Sequence, residues 1–175
     1  EKLKQLGINV FIFPQEKKFA DMEGNFILLS ELVNKKQKAT KIIDKIKIEI
    51  QNIKMKSSGL GRPKVFCQIG ANPLITFGNE TFINEMIEIA GGVNIAAADG
   101  NGYFRYSREK VISENPEIIV LTAMGNYTNS ELKLWQKYNN LTALSTSPIC
   151  SIIVFNMNIH SDISKHNTTT PLPPQ

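Results

Sequence analysis

The chain has 175 residues, 42% of them apolar and 21% charged, enough for one packed core or for one domain plus part of a second. No apolar run approaches the roughly 18 residues of a membrane span and Glu1 opens no signal peptide, so an integral helical membrane protein is not expected; export stays open, because a mature chain has shed its leader. The net charge of +4 is uneven, with fourteen Lys or Arg against seven Asp or Glu in residues 1–64 and six against nine thereafter.

A basic first part raises nucleic acid or anionic lipid as partners. Most of those lysines, however, interleave with isoleucine on one helix and read as its solvated face. No recognised nucleic-acid motif accompanies them, so nucleic acid is not an expected partner. Residues 1–6 read as a helix end that Gly7 turns into a buried strand over 8–13, stopped by Pro14. Gly24 reads as a breaker, with a short helix from Phe26 through Leu32. From Lys35 to about Met55, Ala39, Ile43, Ile46, Ile50 and Ile53 follow a four-three spacing along one helix face. Residues 46–50 also alternate with period two, but length, the lack of Gly and Pro, and the Lys/Glu/Gln background favour helix. At about 1.5 Å per residue such a helix spans roughly 30 Å. Residues 57–63 end it.

Three apolar runs, 65–69, 118–121 and 152–155, are separated by helical segments, the last of them over 130–138 with the single tryptophan, Trp135. Strands so separated imply right-handed crossovers and a parallel sheet covered on both faces. The fold class is α/β. Residues 161–175 are polar and end on prolines, and little order is expected there.

Two loops hold the chemistry. Residues 70–78 follow the carboxyl end of the first central strand, where open α/β sheets bind ligands, and offer Asn72, Thr76 and Phe77 as amide, hydroxyl and ring. Asn79 and Thr81 are placed to cap the next helix, and a well-capped connection without a ligand is the plainer reading. Gly91-Gly92 ends a helix and reads as its C-terminal cap, since no phosphate-binding glycine motif occurs. The patch Tyr103-Phe104-Arg105-Tyr106 carries more ring surface than a connector needs. Rings stack on flat ligands and Arg binds carboxylate or carbonyl oxygen; closure of two rings over the sheet edge is the alternative. Ser107 is a natural N-cap, and Glu109 in the first turn gains from the helix dipole.

No catalytic set emerges. His160 and His166 lie in the tail, no nucleophile has an identifiable base, and no carboxylates share a metal or acid–base spacing. Cys67 reads as a core hydrophobe, and a disulfide to the distant Cys150 is not expected.

The segments KVFCQIGANPLITFGNETFINEMIEIAGGVNI and SREKVISENPEIIVLT, with an aromatic loop between them, resemble the C-terminal lobe of the periplasmic binding proteins for ferric siderophores, haem and cobalamin. The likeness covers roughly residues 1–158. It implies the end of an N-terminal lobe over 1–34, an inter-lobe backbone helix over 35–56, a C-terminal Rossmann-like lobe over 62–158 and a tail over 159–175. Most of a first lobe is absent, so either a fragment or a truncated product is implied. The resemblance further implies an extracytoplasmic solute-binding component, periplasmic or a cell-surface lipoprotein. It has no resident cofactor or metal and meets the membrane only through a lipid anchor or the permease. Its ligand is a metal chelate held between lobes, a ferric siderophore or corrinoid rather than haem, as no axial haem ligand stands out. Its partner is an ABC permease dimer with its ATPase. On the matching positions, Tyr103 faces the ligand, with Phe104 and Arg105 beside it and Asn72, Thr76 and Phe77 on the other loop. Glu109 matches the glutamate that docks on an arginine pocket of the permease. An α/β enzyme domain of chelatase or nitrogenase-like type, with Cys67 as a metal ligand, and a structural remnant are the alternatives.

Overall fold

The computed structural model describes residues 2–122, 128–138, 140–144 and 151–155, the last of these as backbone. Expectations on Cys150, the two histidines and the tail therefore lie outside the described residues. Among the described residues the main sheet has four strands: β1 (Lys64–Gln68), β3 (Val93–Asn94), β5 (Ile118–Thr122) and β6 (Ser151–Phe155). Their order is β3-β1-β5-β6 and every pairing is parallel, with Cys67 opposite Val120 and Leu121 opposite Val154. The three apolar runs thus form the expected sheet, extended by β3. A second, antiparallel pair joins β2 (Ile75–Phe77) to β4 (Tyr103–Arg105).

Helices α1 (Lys2–Gln5), α2 (Phe19–Leu32) and α3 (Lys36–Ser57) precede the sheet. The long helix is present, and its Ala39 and Ile43 are buried while Ile46 and Ile53 remain exposed. It packs on α2, tied by Lys47–Glu23 at 2.6 Å and Lys36–Glu31 at 2.7 Å. Two expectations are corrected. Residues 8–13 form no strand and are exposed, because a strand exists only through a partner's hydrogen bonds and no described segment pairs with them. Gly24 does not break its helix; it sits inside α2, where one glycine costs about 1 kcal/mol relative to alanine, an amount that packing against α3 offsets.

Helices α4 (Phe82–Ile89), α5 (Arg108–Glu114) and α6 (Thr128–Trp135) follow, together with 3₁₀ turns at Ala97–Asp99 and Thr142–Leu144. The core joins Phe66, Ile119 and Leu121 of the sheet to Val111, Trp135 and Leu141. Phe66 stacks on Tyr106 and meets Trp135 edge-on, at centroid distances of 5.8 and 5.9 Å. Gly91, with φ +90, ends α4 in the left-handed conformation, and the amides of Gly91 and Gly92 donate to Glu88 and Ile87. The glycine pair is therefore a helix cap, as its position implies.

Candidate functional site

The site is built where β1 ends. The Ile69 amide donates to the Ile75 carbonyl and the Ile75 amide to the Gly70 carbonyl, which closes a turn carrying Asn72 and a cis Asn72–Pro73 peptide. Past that turn the chain returns as β2, and Thr76 Oγ1 donates to the Cys67 carbonyl at 2.7 Å. Beyond β2, the Gly78 amide donates to Gly102 and Asn79 to Gly100, so the two polar loops are one hydrogen-bonded unit. Only glycine fits at position 78, where a Cβ would lie 1.9 Å from the Gly100 oxygen.

Asn94 locks this unit to its surroundings. Its amide donates to the Phe77 carbonyl and to Asn84 Oδ1, while its oxygen accepts from the Ala96 amide. Thr81 caps α4 by accepting from the Asn84 amide at 3.2 Å, whereas Asn79 has no capping role. Every group in this buried set is satisfied, so the loops are held rigidly.

The pleat then sorts the side chains. Successive residues of a strand point to opposite faces. On β4, Tyr103 is 53% exposed and Arg105 is exposed, while Phe104 is half-buried against Gly100 and Tyr106. Asn72 is exposed on the neighbouring turn. Thr76 and Phe77 are a correction: both are fully buried, Thr76 bonded to the Cys67 carbonyl and Phe77 covered edge-on by Tyr103. They support the wall from behind. A shallow recess beside Tyr103 is lined by Gln15, Glu16, Lys17, Glu80, Thr81 and Asn101. Lys17 spans it to reach Glu80 at 2.7 Å, and this hydrogen bond holds the Glu80 carboxyl below its usual range.

Ser107 caps α5 as expected, accepting from the Lys110 amide, and Glu109 is exposed in the first turn. Its neighbours are anchored. Lys110 pairs with Asp99, which also accepts from the Tyr106 hydroxyl at 2.6 Å, and the Asp99 carboxyl is accordingly held low. Arg108 pairs with Glu131 of α6 at 2.5 Å and lies 4.8 Å from the Trp135 ring centroid. Glu131 also accepts from Gln68, whose oxygen accepts from the Trp135 indole, both at 2.7 Å. Sequence reasoning missed this ring of four side chains. The available signal was Gln68, a polar residue closing an otherwise buried strand.

Cys67 is buried within β1, and burial pushes its thiol up to about 12, far from the thiolate needed to bind metal or attack. Among the described residues no cluster of three His, Cys, Asp or Glu is placed to hold a metal ion.

The described residues thus form a parallel α/β sheet with an aromatic wall, Tyr103 and Arg105 outward, near its carboxyl edge. Residues 1–151 match the model of the periplasmic binding protein family, and the chain belongs to that family. This is a family of binding proteins rather than enzymes. Among curated relatives, the chain is 26% identical over 153 residues to a vitamin B12-binding protein of Vibrio parahaemolyticus, spanning 87% of this chain and 54% of the relative. It is 27% identical over 126 residues to an ABC transporter substrate-binding lipoprotein of Bacillus subtilis, spanning 70% and 40%. The chain thus spans about half the length of the curated relatives it matches. Its fold is similar to that of a periplasmic haem-binding protein from Roseiflexus, with a TM-score of 0.75 at 18% identity over 89% of this chain and 60% of that one. The vitamin B12-binding protein of Vibrio cholerae gives a TM-score of 0.65 at 22% identity, over 90% and 58%.

Proposed function

We propose that this chain is the second lobe and linking helix of a solute-binding protein that delivers a metal chelate, a ferric siderophore or corrinoid, to an ABC permease dimer and its ATPase. In this reading residues 1–34 end the first lobe, residues 35–56 form the inter-lobe helix and residues 62–158 form the second lobe. The protein works outside the cytoplasm, held at the membrane by a lipid anchor or by the permease alone. The observation that carries the reading is the outward pair on β4. Tyr103 offers a ring face to a flat or apolar chelate, and Arg105 on the same face offers a guanidinium to its carboxylate or amide oxygens. Asn72 adds an amide from the adjoining turn. Phe104 stands beside them, half-buried against Tyr106, and Thr76 and Phe77 back the wall. Glu109 presents a carboxylate outward for an arginine pocket of the permease, as electrostatic complementarity requires.

The test is titration of the full-length protein with cyanocobalamin, haem and a set of ferric hydroxamate and catecholate siderophores, followed by intrinsic fluorescence. Saturable quenching by a corrinoid or siderophore is expected. Binding of haem alone would move the ligand class, and no binding by any member would overturn the reading.

A further inference from the structure

We infer that Arg108 and Lys110, through Glu131 and Asp99, are positioning residues that hold Glu109 in its docking direction; the inference rests on the docking role proposed above. Helix α5 has seven residues, less than two turns, and an isolated helix of that length does not persist in water. Its direction is therefore set by tertiary pins. Val111 supplies one, fully buried in the core. The other two flank Glu109 directly. Arg108 is drawn inward to Glu131, their side chains 20% and 14% exposed, and is stacked on Trp135. Lys110 is drawn sideways to Asp99 and lies 5.5 Å over the Tyr106 ring. Each cation adjoining Glu109 is thus neutralised by a carboxylate from a different element. Glu109 itself has no hydrogen-bond or ion-pair partner among the described residues.

The inner pin is costly in a way that stability alone does not explain. Arg108 Nη1 is buried without a hydrogen-bond partner among the described residues, and a largely desolvated ion pair is weak evidence of stabilisation compared with an apolar replacement. What the pin provides is orientation. Gln68, Glu131, Arg108 and Trp135 close a ring, each touching the next, so the guanidinium cannot rotate without breaking a second contact. The first turn of α5 is thereby fixed to the carboxyl end of β1, the same strand end from which the ligand wall begins. A carboxylate that must enter a pocket on a large partner binds better when its helix is already aligned.

The experiment measures docking of the ligand-free full-length protein to its permease–ATPase complex in nanodiscs by biolayer interferometry. Glu131→Gln and Asp99→Asn are each made alone and in a Glu109→Ala background; Asp99 is exposed, so its variant keeps the test alive should the buried one fail to fold. Each single variant is expected to weaken docking about three- to tenfold, and neither should weaken it further once Glu109 is gone, the non-additivity of groups acting through one another. A merely structural role predicts a lower melting temperature with docking intact, or an equal loss in both backgrounds, and either result overturns the inference. If Glu109→Ala itself leaves docking unchanged, the docking role falls and the inference with it, an outcome distinct from the other two.

Discussion

At the level of single residues, the side chains divide into those the sequence exposes to reasoning and those it hides. The exposure of Tyr103, Arg105 and Asn72 is legible because a ring, a guanidinium and an amide on glycine-flanked loops have few structural uses. Thr76 and Phe77 look equivalent in sequence and are not, because their burial depends on contacts with Cys67 of β1 and Tyr103 of β4. Gln68 and Glu131 meet across 63 positions, a contact no local pattern contains. Trp135→Phe should test that ring: it strands the buried Gln68 oxygen, and a loss of about 1–3 kcal/mol is expected in urea unfolding. Cys67 should resist a thiol reagent in the native protein and react at once in denaturant, measured in a Cys150→Ser background; rapid native labelling would contradict its burial. Asp99 carries a pH signature. Hydrogen bonds from Lys110, then Tyr106, lower its folded pKa, so its stabilisation is complete above the ordinary aspartate range and fades as pH falls through the folded value. The melting difference between wild type and Asp99→Asn should be steady above about pH 5 and close only as pH falls below the ordinary aspartate range, and it is small because the pair is exposed.

At the level of elements, periodicity located α3 and the apolar runs located β1, β5 and β6. Those signals are strong because each element repeats or sustains its apolar residues over several positions. The β2–β4 pair escaped notice because three-residue strands set among glycines and polar residues hold no period. Residues 8–13 have the composition of a strand but no partner among the described residues, and composition cannot report a partner. The β2–β4 unit depends instead on close backbone approach. Gly78→Ala forces a Cβ into the Gly100 carbonyl, and a destabilisation of about 1–3 kcal/mol is expected, with the loops of the wall displaced in heteronuclear NMR spectra. Unchanged stability would mean that the two loops are not locked as described.

On the scale of the whole molecule, apolar surface is unevenly covered. Leu6, Ile8, Phe11 and Ile12 are exposed along the first segment, as are Leu29, Leu32 and Val33 at the end of α2. Single exposed apolar residues are ordinary, whereas a run of them marks a surface that works against a partner. That accords with a chain spanning about half the length of its curated relatives, and, in the reading proposed above, with a ligand cleft of which this chain supplies one wall. The central claim is that Tyr103 and its neighbours form one wall of that cleft. The most direct measurement is the affinity of the full-length Tyr103→Ala variant for whichever corrinoid or siderophore of the panel binds the wild type. At unchanged melting temperature, the dissociation constant should rise at least about tenfold, equivalent to roughly 1.4 kcal/mol. An unchanged dissociation constant would place the ligand away from this wall and contradict the account.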